Sequence, residues 1–265
     1  MTARIASAVF VDAVGVVGPG FADWPTARAV LHAPETWSAT RTVIPQPSLL
    51  SPSERRRAGR VLRLAVAVAT EAAGEYAVSL ATVFASSGAD GDNCHELCLA
   101  LATPERAVSP TRFMNSVHNA PSGYWTLAAH AMRPSTAICA FDGSFAAGLL
   151  EAATQVACDG EPVLLVAYDA DYPEPLRAKR PISDAFACAL RLSPRQGTTS
   201  IARLEIATGD DAATRLEAGS LEALRRAIPA ARALPLLQRL ATGTAGRCVL
   251  DYLDGLSLRV EVTPC

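Results

Sequence analysis

The chain has 265 residues, 50% of them apolar, 19% charged and 6% aromatic, enough to bury a sizeable core as one large domain or two small ones. Its 24 basic and 26 acidic residues give a net charge of −2, which offers no electrostatic case for nucleic acid. The apolar content excludes a disordered chain. The run from Val61 to Val68 holds Arg63 and is far shorter than the ~20 residues a bilayer span requires.

In chain order, Ile5 to Val17 reads as a strand rather than a signal peptide, because Asp12 interrupts its apolar run and no cleavage site follows. It ends at the turn Gly18-Pro19-Gly20, and Phe21 to Ser51 reads as irregular. Ser51-Pro52-Ser53-Glu54 opens a helix, capped by Ser51 or Ser53, that runs through a solvated Arg55-Arg56-Arg57 to about Gly74. Leu80 to Ser86 is a buried strand, and Asp92 or Asn93 caps a helix to about Ala102. A loop from Pro104 to Arg112 leads to the polar and aromatic segment Phe113 to Asn119, the turn Ala120-Pro121-Ser122-Gly123 and a helix from Tyr124 to Met132.

A strand from Ser135 to Phe141 passes through Asp142-Gly143-Ser144 into a helix from Phe145 to about Cys158. Val163 to Tyr168 and Asp184 to Leu192 are further strands, and alternation of helices with almost wholly apolar strands predicts an α/β layered fold. After Ser193 the pattern changes: a strand from Ile201 to Ile206, helices over Leu216–Ile228 and Pro235–Leu240, and a hairpin of Arg247–Leu253 with Leu256–Val262 about Asp254-Gly255.

The inventory for chemistry is thin. Seven cysteines, an odd number scattered through apolar segments, read as reduced core residues of a cytoplasmic protein. Cys94 and Cys98 share one helix face, but no second Cys or His cluster completes a metal shell, so no metal and no cofactor are expected. Neither Ser86-Ser87-Gly88 nor Gly15-Val-Val-Gly-Pro-Gly20 has the spacing of a phosphate loop or dinucleotide fingerprint, and Gly-x-Ser-x-Gly is absent. The most informative stretch is Ser109 to Trp125, whose amides, hydroxyls, imidazole and aromatics suit a lined channel or an interface better than a core.

These residues resemble the amino-terminal half of β-ketoacyl synthases, condensing enzymes of the thiolase fold. Ser109-Pro110, Phe113 and Asn119 to Gly123 are similar to the family's Ser-Pro, Phe and Asn-x-x-x-Gly segment. Pro134 to Ile138 followed by Gly148 is similar to the strand and helix that flank its nucleophile. The likeness covers residues 3–195 and implies a thiolase-like layered fold of α/β/α/β/α type: 1–195 as the ketosynthase-like half and 196–265 as a reduced second half of the same compact domain.

Counted back from Gly148, the family's catalytic cysteine falls at Ala140; counted forward from Thr136-Ala137 it falls at Ile138, and Cys139 lies between them. Neither Ala nor Ile can form a thioester. The histidines of the family's second half are missing too, since none follows His130. Family members without a nucleophile are chain-length factors of type II polyketide systems, and the chain is most similar to the short subunits of that kind from aryl polyene clusters.

The resemblance therefore implies a non-catalytic partner of an active β-ketoacyl-ACP synthase. As a heterodimer the two would act on a carrier-bound acyl or polyene chain, with no nucleic acid and no membrane span involved. Phe113, Met114, Asn115, Val117, His118, Asn119 and Tyr124, beside Phe141 and Asp142, would line interface and tunnel. Bulky Phe113, Met114 and Phe141 would set a length limit, at ~1–3 kcal/mol per excess methylene. Two alternatives stay open: a small condensing or decarboxylating acyltransferase using Cys139, His118 or Asp142, and a homodimeric acyl-binding protein.

Overall fold

The computed structural model describes residues 7–265, so the expected start of the first strand at Ile5 lies outside the described residues. The elements are β1 (Ser7–Val17), α1 (Trp24–His32), α2 (Pro52–Arg57), α3 (Arg60–Ala73), β2 (Ala81–Ala85), α4 (Gly91–Ala102), α5 (Pro110–Met114), α6 (Ala120–Ala129) and β3 (Ser135–Ile138). They continue with α7 (Ser144–Asp159), β4 (Val163–Asp169), α8 (Leu176–Lys179), β5 (Phe186–Ser193), β6 (Ala202–Gly209), α9 (Gly219–Ala227), α10 (Leu234–Thr242), β7 (Gly246–Leu253) and β8 (Leu256–Pro264).

All eight strands form one mixed sheet in the order β3-β2-β4-β5-β1-β6-β8-β7. β2 pairs in parallel with β3 and β4, and the other pairings are antiparallel. Strands β2, β4 and β5 are buried along their whole length, as their unbroken apolar runs predict for a sheet covered on both faces. Alternate side chains feed two cores. Val83 and Leu165 belong to the one that contains Leu149 of α7 and Leu237 of α10. Phe84 and Val166 belong to the other, with Leu64 of α3 and Trp125 of α6. The mixed α/β, thiolase-like fold thus stands as expected. The residues after 195 add β6, β8 and β7 to the far side of β1, extending this sheet rather than building another among the described residues.

Several local expectations are corrected. The stretch from Phe21 to Ser51 is not wholly irregular: Asp23 accepts from the Thr26 amide and caps α1, with Pro25 in the first turn, where its missing N–H costs nothing. Glu71 of α3 accepts from the amides of Val16 (3.0 Å) and Trp24 (2.5 Å), tying the end of β1 to the start of α1. The helix expected from Ser51 to Gly74 is two helices, because Ala58 and Gly59 are extended, and Ser51 rather than Ser53 forms the capping box with Glu54. Asp90, not Asp92 or Asn93, caps α4. Ala120 to Gly123 is the first turn of α6, not a separate turn. Five of the seven cysteines, 94, 98, 139, 158 and 265, are exposed; only Cys188 and Cys248 are core residues.

Candidate functional site

β3 ends at Ile138, three residues short of the expected Phe141, because the chain turns sharply into α7. Phe141 adopts a φ of 49°, which a bulky side chain rarely takes, and such backbone strain clusters at functional sites. The Ser144 hydroxyl holds this turn by donating to the Phe141 carbonyl (2.7 Å) and accepting from the Ala140 amide (3.0 Å). Gly143 lies so close to β7 that any Cβ there would overlap the Tyr252 carbonyl. Ala140, the position that the count from Gly148 gives to the nucleophile, therefore sits at a braced strand-to-helix joint.

Ala140 opens onto a cavity of 660 Å³, lined on one side by Phe141, Asp142 and Gly143 and on the other by Arg232, the Asp210-Asp211 loop and the hairpin from Asp251 to Ser257. An ionic chain runs along its wall. Asp142 pairs with Arg180 and with Arg232 (2.9 Å), and Arg232 reaches Asp251 (3.7 Å). Asp251 in turn meets Arg225 (2.5 Å), which is held by Glu222 (2.8 Å). The hydrogen bond from Arg225 pulls the Glu222 carboxyl down to about 2. The Arg180 guanidinium also stacks on Phe141 at 3.9 Å from the ring centre. The lining contains neither thiol nor imidazole, the Ala140 amide is engaged by Ser144, and the Ala140 side chain is a methyl group that cannot form a thioester.

The other expected residues fall elsewhere. His118 and Cys139 attach to consecutive carbonyls: His118 Nε2 stands 3.3 Å from the Ser86 oxygen, and Cys139 Sγ donates to Ser87 at 3.4 Å. Beneath them lies Asp169, whose Oδ1 accepts from the Ser87 amide (2.9 Å) and both serine hydroxyls, while Oδ2 has no hydrogen-bond partner. Burial pushes this carboxyl up to about 6 against the pull of the serines. In the sequence Asp169 leaves one trace, an acidic residue at the end of an apolar strand.

Phe113, Met114, Val117 and Phe141 are exposed, whereas Asn115 and Tyr124 are buried. Asn115 donates to the Arg57 carbonyl (3.0 Å) and Asn93 to the Arg112 carbonyl (2.9 Å), which anchors α5. Asn119 precedes α6 without a capping side-chain bond. Of the segment from Phe113 to Tyr124, nothing lines the cavity at Ala140. Eight of the fourteen exposed large apolar residues nevertheless fall between Leu99 and Phe141, on α4, α5, the link from α5 to α6, α6 and the flanks of β3. β3 is one of the sheet's two edges, β7 being the other, and among the described residues it pairs only with β2.

Among the described residues no cluster of three His, Cys, Asp or Glu side chains could hold a metal ion, and no helix is long and apolar enough to cross a membrane. The family model of the β-ketoacyl synthase N-terminal domain matches residues 28–249. The chain belongs to this family. The match crosses residue 195, where the resemblance in the sequence ended. No curated protein matches.

Among solved structures, this β-ketoacyl synthase-like chain is similar to the ketosynthase (ApeO) in complex with its chain length factor (ApeC) from Xenorhabdus doucetiae. Identity is 22% and TM-score 0.75, over 96% of this chain and 98% of that one. It is similar to the ishigamide ketosynthase/chain length factor at 14% identity and TM-score 0.72, over 97% and 99%. A β-ketoacyl synthase from Burkholderia phymatum STM815 gives 12% identity and TM-score 0.65, over the whole of both chains. At these identities the likeness is one of fold.

Proposed function

We propose that this β-ketoacyl synthase-like chain is a non-catalytic subunit of chain-length-factor type, which pairs with an active β-ketoacyl-ACP synthase and shapes the space for its carrier-bound acyl or polyene chain. The observation that carries the reading is Ala140: the joint where the family counts its nucleophile is built and braced, yet it presents a methyl group. The cavity there is walled by paired carboxylates and guanidiniums, and histidine is missing from the whole chain after His130.

Pairing is supported by the open edge of β3 and by the exposed apolar side chains of Met132 and Phe141 that flank this strand in the chain and of Leu127 on α6, which packs against it. Phe113, Met114, Val117, Asn119 and Phe141 are then exposed interface positions, His118 is half-buried, and Asn115 and Tyr124 support them from within. Two of the structures of similar fold are described as a ketosynthase with a chain length factor.

Co-expression with an active β-ketoacyl-ACP synthase from the same organism tests the reading. A one-to-one complex that elongates carrier-bound chains, with Cys139→Ala leaving the rate unchanged, is expected. A stable homodimer that ignores the synthase, or turnover by the chain alone that Cys139→Ala abolishes, would overturn it.

A further inference from the structure

Arg55 and Arg56 of α2 and Arg63 of α3 line a separate cavity of 280 Å³, together with Gln46, Pro47 and Pro52. The arrangement follows from the break between the two helices. Gly59 passes so close to Asp90 that a Cβ would stand 2.8 Å from its carboxylate, and the helices turn there so that arginines of both reach one hollow. Elsewhere in the chain Arg60, Arg180, Arg225, Arg232 and Arg259 each meet a carboxylate. Among the described residues, none stands within 4.0 Å of Arg55, Arg56 or Arg63. Arg63 Nε is buried and has no acceptor. Three like charges around one hollow repel, and a buried donor without a partner costs stability, so the hollow is short of an anion.

We propose that this hollow binds the phosphate group of a small phosphate monoester. Guanidinium forks match phosphate oxygens in pairs, and a dianion answers three cations better than a carboxylate does. The hollow is larger than a bare phosphate needs, and Pro47 and Pro52 give it a rigid apolar flank for the carbon skeleton of an ester. Glu54, the acid within α2, does not compete, because it is engaged by the Ser51 amide at 2.9 Å in the capping box.

Calorimetric titration of the purified protein, with any partner that co-purifies, reads the site directly in a buffer free of phosphate and sulfate. The probes are glycerol 3-phosphate, inorganic phosphate and acetate. Saturable binding of both phosphates, the ester at least as tight, with no saturation by acetate, is expected. Arg56→Gln, at an exposed side chain, weakens binding about tenfold, while the double change Arg55→Gln and Arg63→Gln removes it. Arg226→Gln, on exposed α9 surface, leaves it unchanged. The proposal fails if neither phosphate saturates at millimolar concentration or if acetate binds equally. It fails too if inorganic phosphate binds while the ester is refused, or if Arg56→Gln binds like the parent.

Discussion

Asp169 holds one oxygen against three donors and leaves the other bare, at full burial beneath Ser86 and Ser87. Its folded pKa of about 6 lies above the 3.8 of a free aspartate, so between those values the folded chain keeps a proton that the unfolded chain has lost. Stability from this group is therefore present below pH 4 and lost as pH rises towards 6, by on the order of 3 kcal/mol. Asp169→Asn removes that dependence. Its stability relative to the parent, measured by urea unfolding across the range, climbs from pH 4 to 6 and is flat above. Gly143→Ala drives a methyl group into the Tyr252 carbonyl and lowers unfolding free energy by about 1–3 kcal/mol in the same assay. Of these residues the sequence marked Ala140, Cys139, His118 and Asp142, because they stand in one short stretch or a recognisable segment. It could not mark Asp169 or Arg232, whose partners come from distant parts of the chain.

Strands were the most legible elements, since burial on both faces leaves an unbroken apolar run that survives any reading of periodicity. Helix starts were less so. Pro25 and Pro121 read as breakers, yet each sits in a first turn where proline is tolerated, and Asp90 outcompetes Asp92 as a cap by its backbone position. The capping box of α2 is exposed and isolated, so Ser51→Ala costs about 1 kcal/mol and is read as a lowered denaturation midpoint. Around β3 the expected outcome is of another kind. The pair of changes Phe113→Glu and Met132→Glu, both at exposed side chains, leaves the unfolding midpoint of the isolated chain within ±0.5 kcal/mol of the parent but abolishes co-elution with the synthase.

Across the whole molecule, the layered α/β class followed from alternation of apolar strands with helices, but the fate of the residues after 195 did not. Nothing local says that β6, β8 and β7 would continue the sheet beyond β1, because pairing of β6 with β1 joins residues from opposite ends of the chain. The ionic chain from Asp142 through Arg232 and Asp251 to Arg225 has the same origin, tying the joint after β3 to the hairpin of β7 and β8. If the edge of β3 meets a synthase, binding stabilises the folded form by mass action. The melting temperature then rises with synthase concentration, while in the Phe113→Glu, Met132→Glu chain it does not move.

The central place of β1 also bears on the order in which the sheet assembles. β1, the earliest strand among the described residues, lies between β5 and β6, with Val14 facing Leu190 and Val9 facing Leu204. It waits, unpaired and apolar, until β5 (Phe186–Ser193) and then β6 (Ala202–Gly209) have emerged, and distant pairing of this kind folds slowly. During that wait β2, β3 and β4, neighbours in sequence and joined in parallel by α7 and its companions, can assemble first. The β3 edge of the sheet is therefore complete before its centre, and that edge exists as a surface before the sheet is closed.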